Sequence, residues 1–186
     1  ILTKWVHDGG AFIGVNEPSA TEGYDTYFRM AHVLGIDEDT GARVCHGRWS
    51  FTADDTEEIL PEGATVLPKE HLYLTDGKAQ VLLAEDDKPL VTVNQFGKGK
   101  GIYLASFQVD LENTRMLYQL IRYAGGEGVS GLYMTDNLYT ECAYYPESKK
   151  LVVINNSDKE QTATIPTEQG DKTVTIAPYD TTFMEI

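Results

Sequence analysis

The chain has 186 residues, 41% hydrophobic and 24% charged, which suits one large folded domain or two small ones. Its 15 Lys and Arg against 29 Asp and Glu leave a net charge of −14, a field that repels phosphate polymers and anionic membranes. No apolar run is long enough to cross a bilayer, and the first residues lack the basic head and apolar core of a signal peptide. The expectation is therefore a cytoplasmic protein with neither nucleic acid nor membrane as partner.

In chain order, Ile1, Leu2, Trp5 and Val6 recur at helical spacing, and Gly9-Gly10 stops the helix. Ala11 to Val15 is a short continuous apolar run, the pattern of a strand buried on both faces. A helix feeding such a strand makes an α/β unit, which ordinarily follows an earlier strand; the chain thus reads as a fragment or one half of a larger unit. Tyr24 to Leu34 predicts a second helix, with Tyr27, Met30, Ala31 and Leu34 as its apolar stripe and Gly35 as its end. Residues 54–70 are acidic and punctuated by Pro and Gly, a loop with room for a short helix over Asp54 to Leu60.

Leu72 to Leu74 and Ala79 to Ala84 read as strands. Pro89 to Phe96 and Gly101 to Phe107 flank Gly97-Lys98-Gly99-Lys100 as a hairpin. Glu112 to Ala124 is the clearest helix, with Met116, Leu117, Leu120, Ile121 and Ala124 on one face, Asp110 or Asn113 as cap and Gly125-Gly126 as stop. After the linker Glu127 to Gly131 come five short strands: Leu138 to Tyr145, Leu151 to Asn155, Thr162 to Ile165, Thr173 to Ala177 and Thr182 to Ile186. The pattern divides the chain into an α/β domain over 1–128 and a small antiparallel β domain over 129–186.

Several motifs resemble reaction centres and fall short of them. Cys45-His46 would need an irregular backbone or partners from elsewhere to act as a dyad, because neighbours on a strand point to opposite faces. Asp37 to Gly41 lacks the glycine position and the final Glu of a calcium loop. The four histidines show no zinc spacing, and Gly97 to Gly101 lacks the order of a phosphate-binding loop. Asn155-Asn156-Ser157 matches a glycosylation sequon and reads as chance. The two cysteines, Cys45 and Cys142, read as reduced thiols. No catalytic residue, metal ligand or cofactor site is assigned.

What remains is the polar set Asn16, Glu17, Arg43, His46 and Arg48. Pro18 forces Glu17 out of helical geometry and leaves Asn16-Glu17 at the C-terminal end of a strand, where α/β sheets place ligand groups. Arg43 and Arg48 suit a carboxylate clamp. The set reads as an active-site rim, an internal ion-pair network or a subunit contact. Tyr24, Tyr27 and the Tyr144-Tyr145 pair suit stacking on sugars or, equally, core and interface packing.

The segments GVNEPSA and YFRMAHVLGIDEDTGARVCHGRW resemble the bacterial galacto-N-biose/lacto-N-biose phosphorylases, which are inverting glycoside phosphorylases. PLVTVNQFGKGKGIYLASFQ is similar to the glutamine-amidotransferase-like domain of that family and of β-galactosidases. LVVINNSDKEQTATI and TVTIAPYDTTFMEI are similar to their C-terminal β domain. The resemblance implies a flavodoxin-like α/β domain, incomplete at its N-terminus, followed by an all-β domain. It implies a catalytic barrel elsewhere in the parent protein, a homo-oligomer, and inorganic phosphate as co-substrate rather than a cofactor. The parent would release galactose 1-phosphate from β-1,3-galactosyl-N-acetylhexosamine, with this portion structural. Two other classes stay open: a carbohydrate-binding module, and an amidotransferase-like enzyme using Cys45.

Overall fold

The computed structural model describes residues 1–21, 25–41, 49–127 and 131–186. They form two compact units, Ile1–Val129 and Ser130–Ile186.

The first unit runs α1 (Leu2–His7), β1 (Ala11–Val15), α2 (Ala31–Leu34), β2 (Ile36–Glu38), β3 (Leu72–Leu74), β4 (Gln80–Glu85), β5 (Lys88–Phe96), β6 (Gly99–Leu104) and α3 (Leu111–Ala124). Four strands make one sheet in the order β1-β6-β5-β4, and β2 and β3 pair separately as a short antiparallel ribbon. Inside the sheet β1 lies parallel to β6, while β6-β5 and β5-β4 are antiparallel hairpins. Central β5 is buried from Pro89 to Asn94, so it is the strand covered on both faces. Edge strand β1 buries only Gly14.

The expected flavodoxin-like, glutamine-amidotransferase-like α/β domain is overturned. The chain is mostly β-sheet in several small sheets, with three short helices of 6, 4 and 14 residues among the described ones. A doubly wound fold needs successive parallel strands joined by crossover helices. Here hairpins make every pairing in the main sheet except β1-β6.

The predicted helix from Tyr24 to Leu34 shrinks to one turn, α2. The cause is Asp37, buried on β2, whose carboxylate accepts the backbone N–H groups of Tyr27 (3.0 Å) and Phe28 (2.7 Å) and the Tyr73 hydroxyl (3.1 Å). Ser19 Oγ accepts Met30 N at 3.1 Å. Side chains thus take the backbone donors that a helix would have used. The same happens over Asp54 to Leu60, where the Asp55 carboxylate accepts Ile59 N and Leu60 N in place of a helix.

The Gly97–Gly101 pattern has two explanations in one segment. Gly97 takes the turn at φ 63°. Gly99 and Gly101 face the helical layer: a Cβ on Gly99 would stand 2.1 Å from Val6 O, and one on Gly101 would stand 2.1 Å from Val33 O. Bare backbone on β6 is what lets α1 and α2 lie this close. Lys100, between them, donates Nζ to Tyr123 O at 3.3 Å, near the C-terminus of α3, where helix carbonyls favour a cation. The N-terminus of α3 is capped by Asp110, which accepts Asn113 N at 2.7 Å. Its buried face is Asn113, Met116 and Leu120, while the predicted core residue Ile121 is exposed.

The second unit runs β7 (Thr140–Tyr145), β8 (Lys150–Asn155), β9 (Gln161–Ile165), β10 (Lys172–Ile176) and β11 (Thr181–Glu185). The strands make two antiparallel sheets, β11-β8-β7 and β10-β9. Leu151, Val153, Ala163, Ile165 and Ile176 are its core. Asn155 is buried, and its Nδ2 donates to Lys159 O (2.7 Å), Ala177 O (3.0 Å) and Ile176 O (3.1 Å). The sequon nitrogen is therefore committed inside the fold.

Candidate functional site

Asn16 continues β1 by one residue, its N–H donating to Leu104 O at 2.9 Å, and then leaves the sheet at φ 58°. The Tyr103 hydroxyl donates to Asn16 O at 2.8 Å and fixes that exit. Gly14 makes room for Pro18, whose ring lies 2.7 Å from where a Cβ would stand. Ser19, at φ 59°, turns the chain towards the Asp37-anchored segment. These constraints hold Asn16 and Glu17 at the C-terminal end of the parallel pair.

Lys69 organises the site. Its ammonium lies 2.8 Å from Glu17 Oε1, 2.9 Å from Glu38 Oε2 and 3.1 Å from Asn16 Oδ1. The Tyr27 hydroxyl donates to Glu17 Oε2 at 3.3 Å. The Lys69 and Glu38 side chains are each 15% exposed, whereas Glu17 is 47% exposed and closes the cluster on the solvent side.

The electrostatics follow from this packing. The hydrogen bond and charge of Lys69 hold the Glu17 carboxyl below its ordinary value. Burial works to lower the Lys69 ammonium, but its hydrogen bonds and charge pairing with Glu17 and Glu38 outweigh burial and raise it. Burial, with the charges of Glu38 and Glu17, pushes the Tyr103 phenol up. Glu17 is thus an ionised acceptor at neutral pH. A group that protonates a leaving oxygen needs the opposite shift.

Of the five residues expected at the site, the structure places Asn16 and Glu17 together on Lys69. Arg43, His46 and Arg48 lie outside the described residues, as do Cys45 and Tyr24. Lys69 and Glu38 were missed. The available signal was that Lys69 is the one Lys or Arg between Arg48 and Lys78, in a loop crowded with acids. Asp37, weighed in a calcium loop, is instead a backbone anchor. Among the described residues no cluster of His, Cys, Asp and Glu is arranged to hold a metal, and no helix is long and apolar enough to cross a membrane. Cys142 donates Sγ–H to Tyr133 O at 2.7 Å.

Comparison with known proteins supplies the family. Residues 1–128 match the description "Lacto-N-biose phosphorylase central domain" and residues 133–184 match "Lacto-N-biose phosphorylase C-terminal domain". The chain belongs to the lacto-N-biose phosphorylase family and carries its central and C-terminal domains.

Among its relatives is a D-galactosyl-β-1→4-L-rhamnose phosphorylase of Lachnoclostridium phytofermentans, 48% identical over 185 residues, covering 100% of this chain and 26% of that protein. A 1,3-β-galactosyl-N-acetylhexosamine phosphorylase of the same organism is 34% identical over 167 residues, covering 86% of this chain and 22% of that protein. The chain thus spans about a quarter of the length of these curated relatives. Its fold resembles parts of two β-galactosidases. The one from Rahnella sp. R3 has TM-score 0.59 and 16% identity over 100% of this chain and 30% of that one. The one from Bacillus circulans has TM-score 0.53 and 18% identity over 98% of this chain and 30% of that one.

Proposed function

We propose that this chain is the non-catalytic central and C-terminal portion of a cytoplasmic, phosphate-dependent phosphorylase of β-galactosyl sugars. The parent enzyme releases galactose 1-phosphate with inversion, and a catalytic barrel elsewhere in it carries the general acid. The family match over both domains supports the parent reaction. The observation that carries the non-catalytic role is Glu17, the best-placed carboxylate of the site. Lys69 keeps it ionised, so it accepts hydrogen bonds and does not protonate a glycosidic oxygen. The Asn16–Glu17–Lys69–Glu38 cluster holds the end of β1 rigid, as a rim or as a contact for the barrel or a second subunit.

The test is turnover. The purified chain, given inorganic phosphate with lacto-N-biose or with galactosyl-β-1,4-rhamnose, is expected to release no galactose 1-phosphate. Sustained release from a pure sample, lost in the Glu17→Gln variant, overturns the non-catalytic role.

A further inference from the structure

A second polar site lies in the Ser130–Ile186 unit. A cavity of about 130 Å³ is lined by Tyr133, Tyr144, Lys149, Thr167, Glu168 and Gln169, with Ile186 completing the wall. The Tyr133 and Tyr144 rings stack at 4.0 Å with their planes 17° apart, so one rigid aromatic surface borders the space. The loop carrying Glu168 and Gln169 is closed by Thr167, whose Oγ1 donates to Gly170 O at 2.6 Å and accepts Gln169 N at 3.2 Å. Among the described residues, the side chains of Lys149, Glu168 and Gln169 make no hydrogen bond or ion pair. They present an ammonium, a carboxylate and an amide around the mouth.

The backbone there is held in costly conformations. Tyr133 sits at φ 63° and Lys149 at φ 52°, in the left-handed region that side chains disfavour by roughly 1–3 kcal/mol. Tyr133 is kept there by its N–H to Pro166 O at 2.8 Å and by Cys142 Sγ–H on its own carbonyl at 2.7 Å. Lys149 is tied by Ile186 N to its carbonyl at 3.0 Å.

We propose that this cavity is a subsite for one neutral pyranose ring. The volume is far below the roughly 300–1,000 Å³ of pockets for drug-sized molecules, and Lys149, Glu168 and Gln169 on its rim are exposed, so it seats part of one sugar ring and leaves the rest in solvent. Lys149 and Glu168 carry opposite charges, so the rim favours no net charge in its ligand. Carboxylate, amide and ammonium together match the donors and acceptors of adjacent hydroxyls. The stacked tyrosines offer an apolar border for the C–H face of the sugar.

The inference rests on the phosphorylase reading only for the ligand class. It is tested separately, by binding and not by turnover. Calorimetry and saturation-transfer NMR with D-galactose, N-acetyl-D-glucosamine and L-rhamnose are expected to detect at least one sugar, with Kd in the millimolar range. Gln169→Ala and Glu168→Gln, on an exposed loop, are expected to weaken that sugar roughly tenfold with circular dichroism unchanged. Tyr144→Ala should weaken it at least as much, and Trp49→Ala, in the other unit, should not. Absence of saturation transfer from all three sugars overturns the proposal. So does binding that Gln169→Ala and Glu168→Gln leave untouched.

Discussion

Lys69 shows how much one side chain contributes when two carboxylates depend on it. In Lys69→Met, Glu38 is left mostly buried and unpaired, with a cost of about 1–2 kcal/mol after allowance for the exposed Glu17. The pH dependence has a definite sign. Glu17 is depressed below 4.5, so its contribution is complete above that value and is lost as pH falls through the folded pKa. Lys69 is raised above 10.5, so its contribution is complete below that value and is lost as pH rises through the folded pKa. The gap between parent and variant in urea midpoint is therefore expected to be widest from about pH 5 to 10 and to narrow in acid. A gap that is constant with pH would contradict the ion-pair account. Of this cluster, only Asn16-Glu17 was legible in the sequence, because Pro18 and a strand end mark it locally. Lys69 and Glu38 reach it from distant segments, and periodicity carries no trace of such long-range pairing.

At the scale of elements, strands and turns were easier to read than helices. The β5–β6 hairpin and α3 announce themselves through turn glycines, an Asp cap and a repeating apolar face. The lost helix over 24–34 shows the limit: its apolar spacing is helical, but Asp37, ten residues further on than Tyr27, takes its backbone donors. An α/β unit was inferred from one helix–strand pair and a flavodoxin-like domain from the family resemblance, whereas topology depends on which strands meet. The glycines of β6 make a sharper expectation. Gly101→Ala places a methyl against Val33 O and should cost about 1–3 kcal/mol, read as a lower urea midpoint by Trp fluorescence. Gly125→Ala is the control. Gly125 is already right-handed, and its added Cβ would meet nothing closer than 3.4 Å, so a change within about 0.5 kcal/mol is expected.

Across the whole molecule, each unit has its own core, and both tryptophans, Trp5 and Trp49, belong to Ile1–Val129. This separates two signals. Leu151→Ala empties a fully buried position in a small core and should cost about 2–5 kcal/mol, enough to unfold a unit of this size. The expected result is lost β-sheet circular dichroism with unchanged Trp emission. Emission shifting in step with the dichroism would mean that the two cores do not melt separately. The change in strand grammar after Glu127 was visible without a structure, since turn residues recur at short intervals there and are absent from α3.

Pairing Ala11 with Lys100 also sets an order of events during synthesis. At roughly 5–20 residues per second, a ribosome makes β1 about 5–20 s before the last of β6 exists. Until then β1 lacks its β6 partner, while the β4–β5 and β5–β6 ribbons need only nearby chain. The nascent chain must therefore hold β1 in reserve until β6 is made. That interval is when a chaperone, or a second nascent copy, finds the edge open.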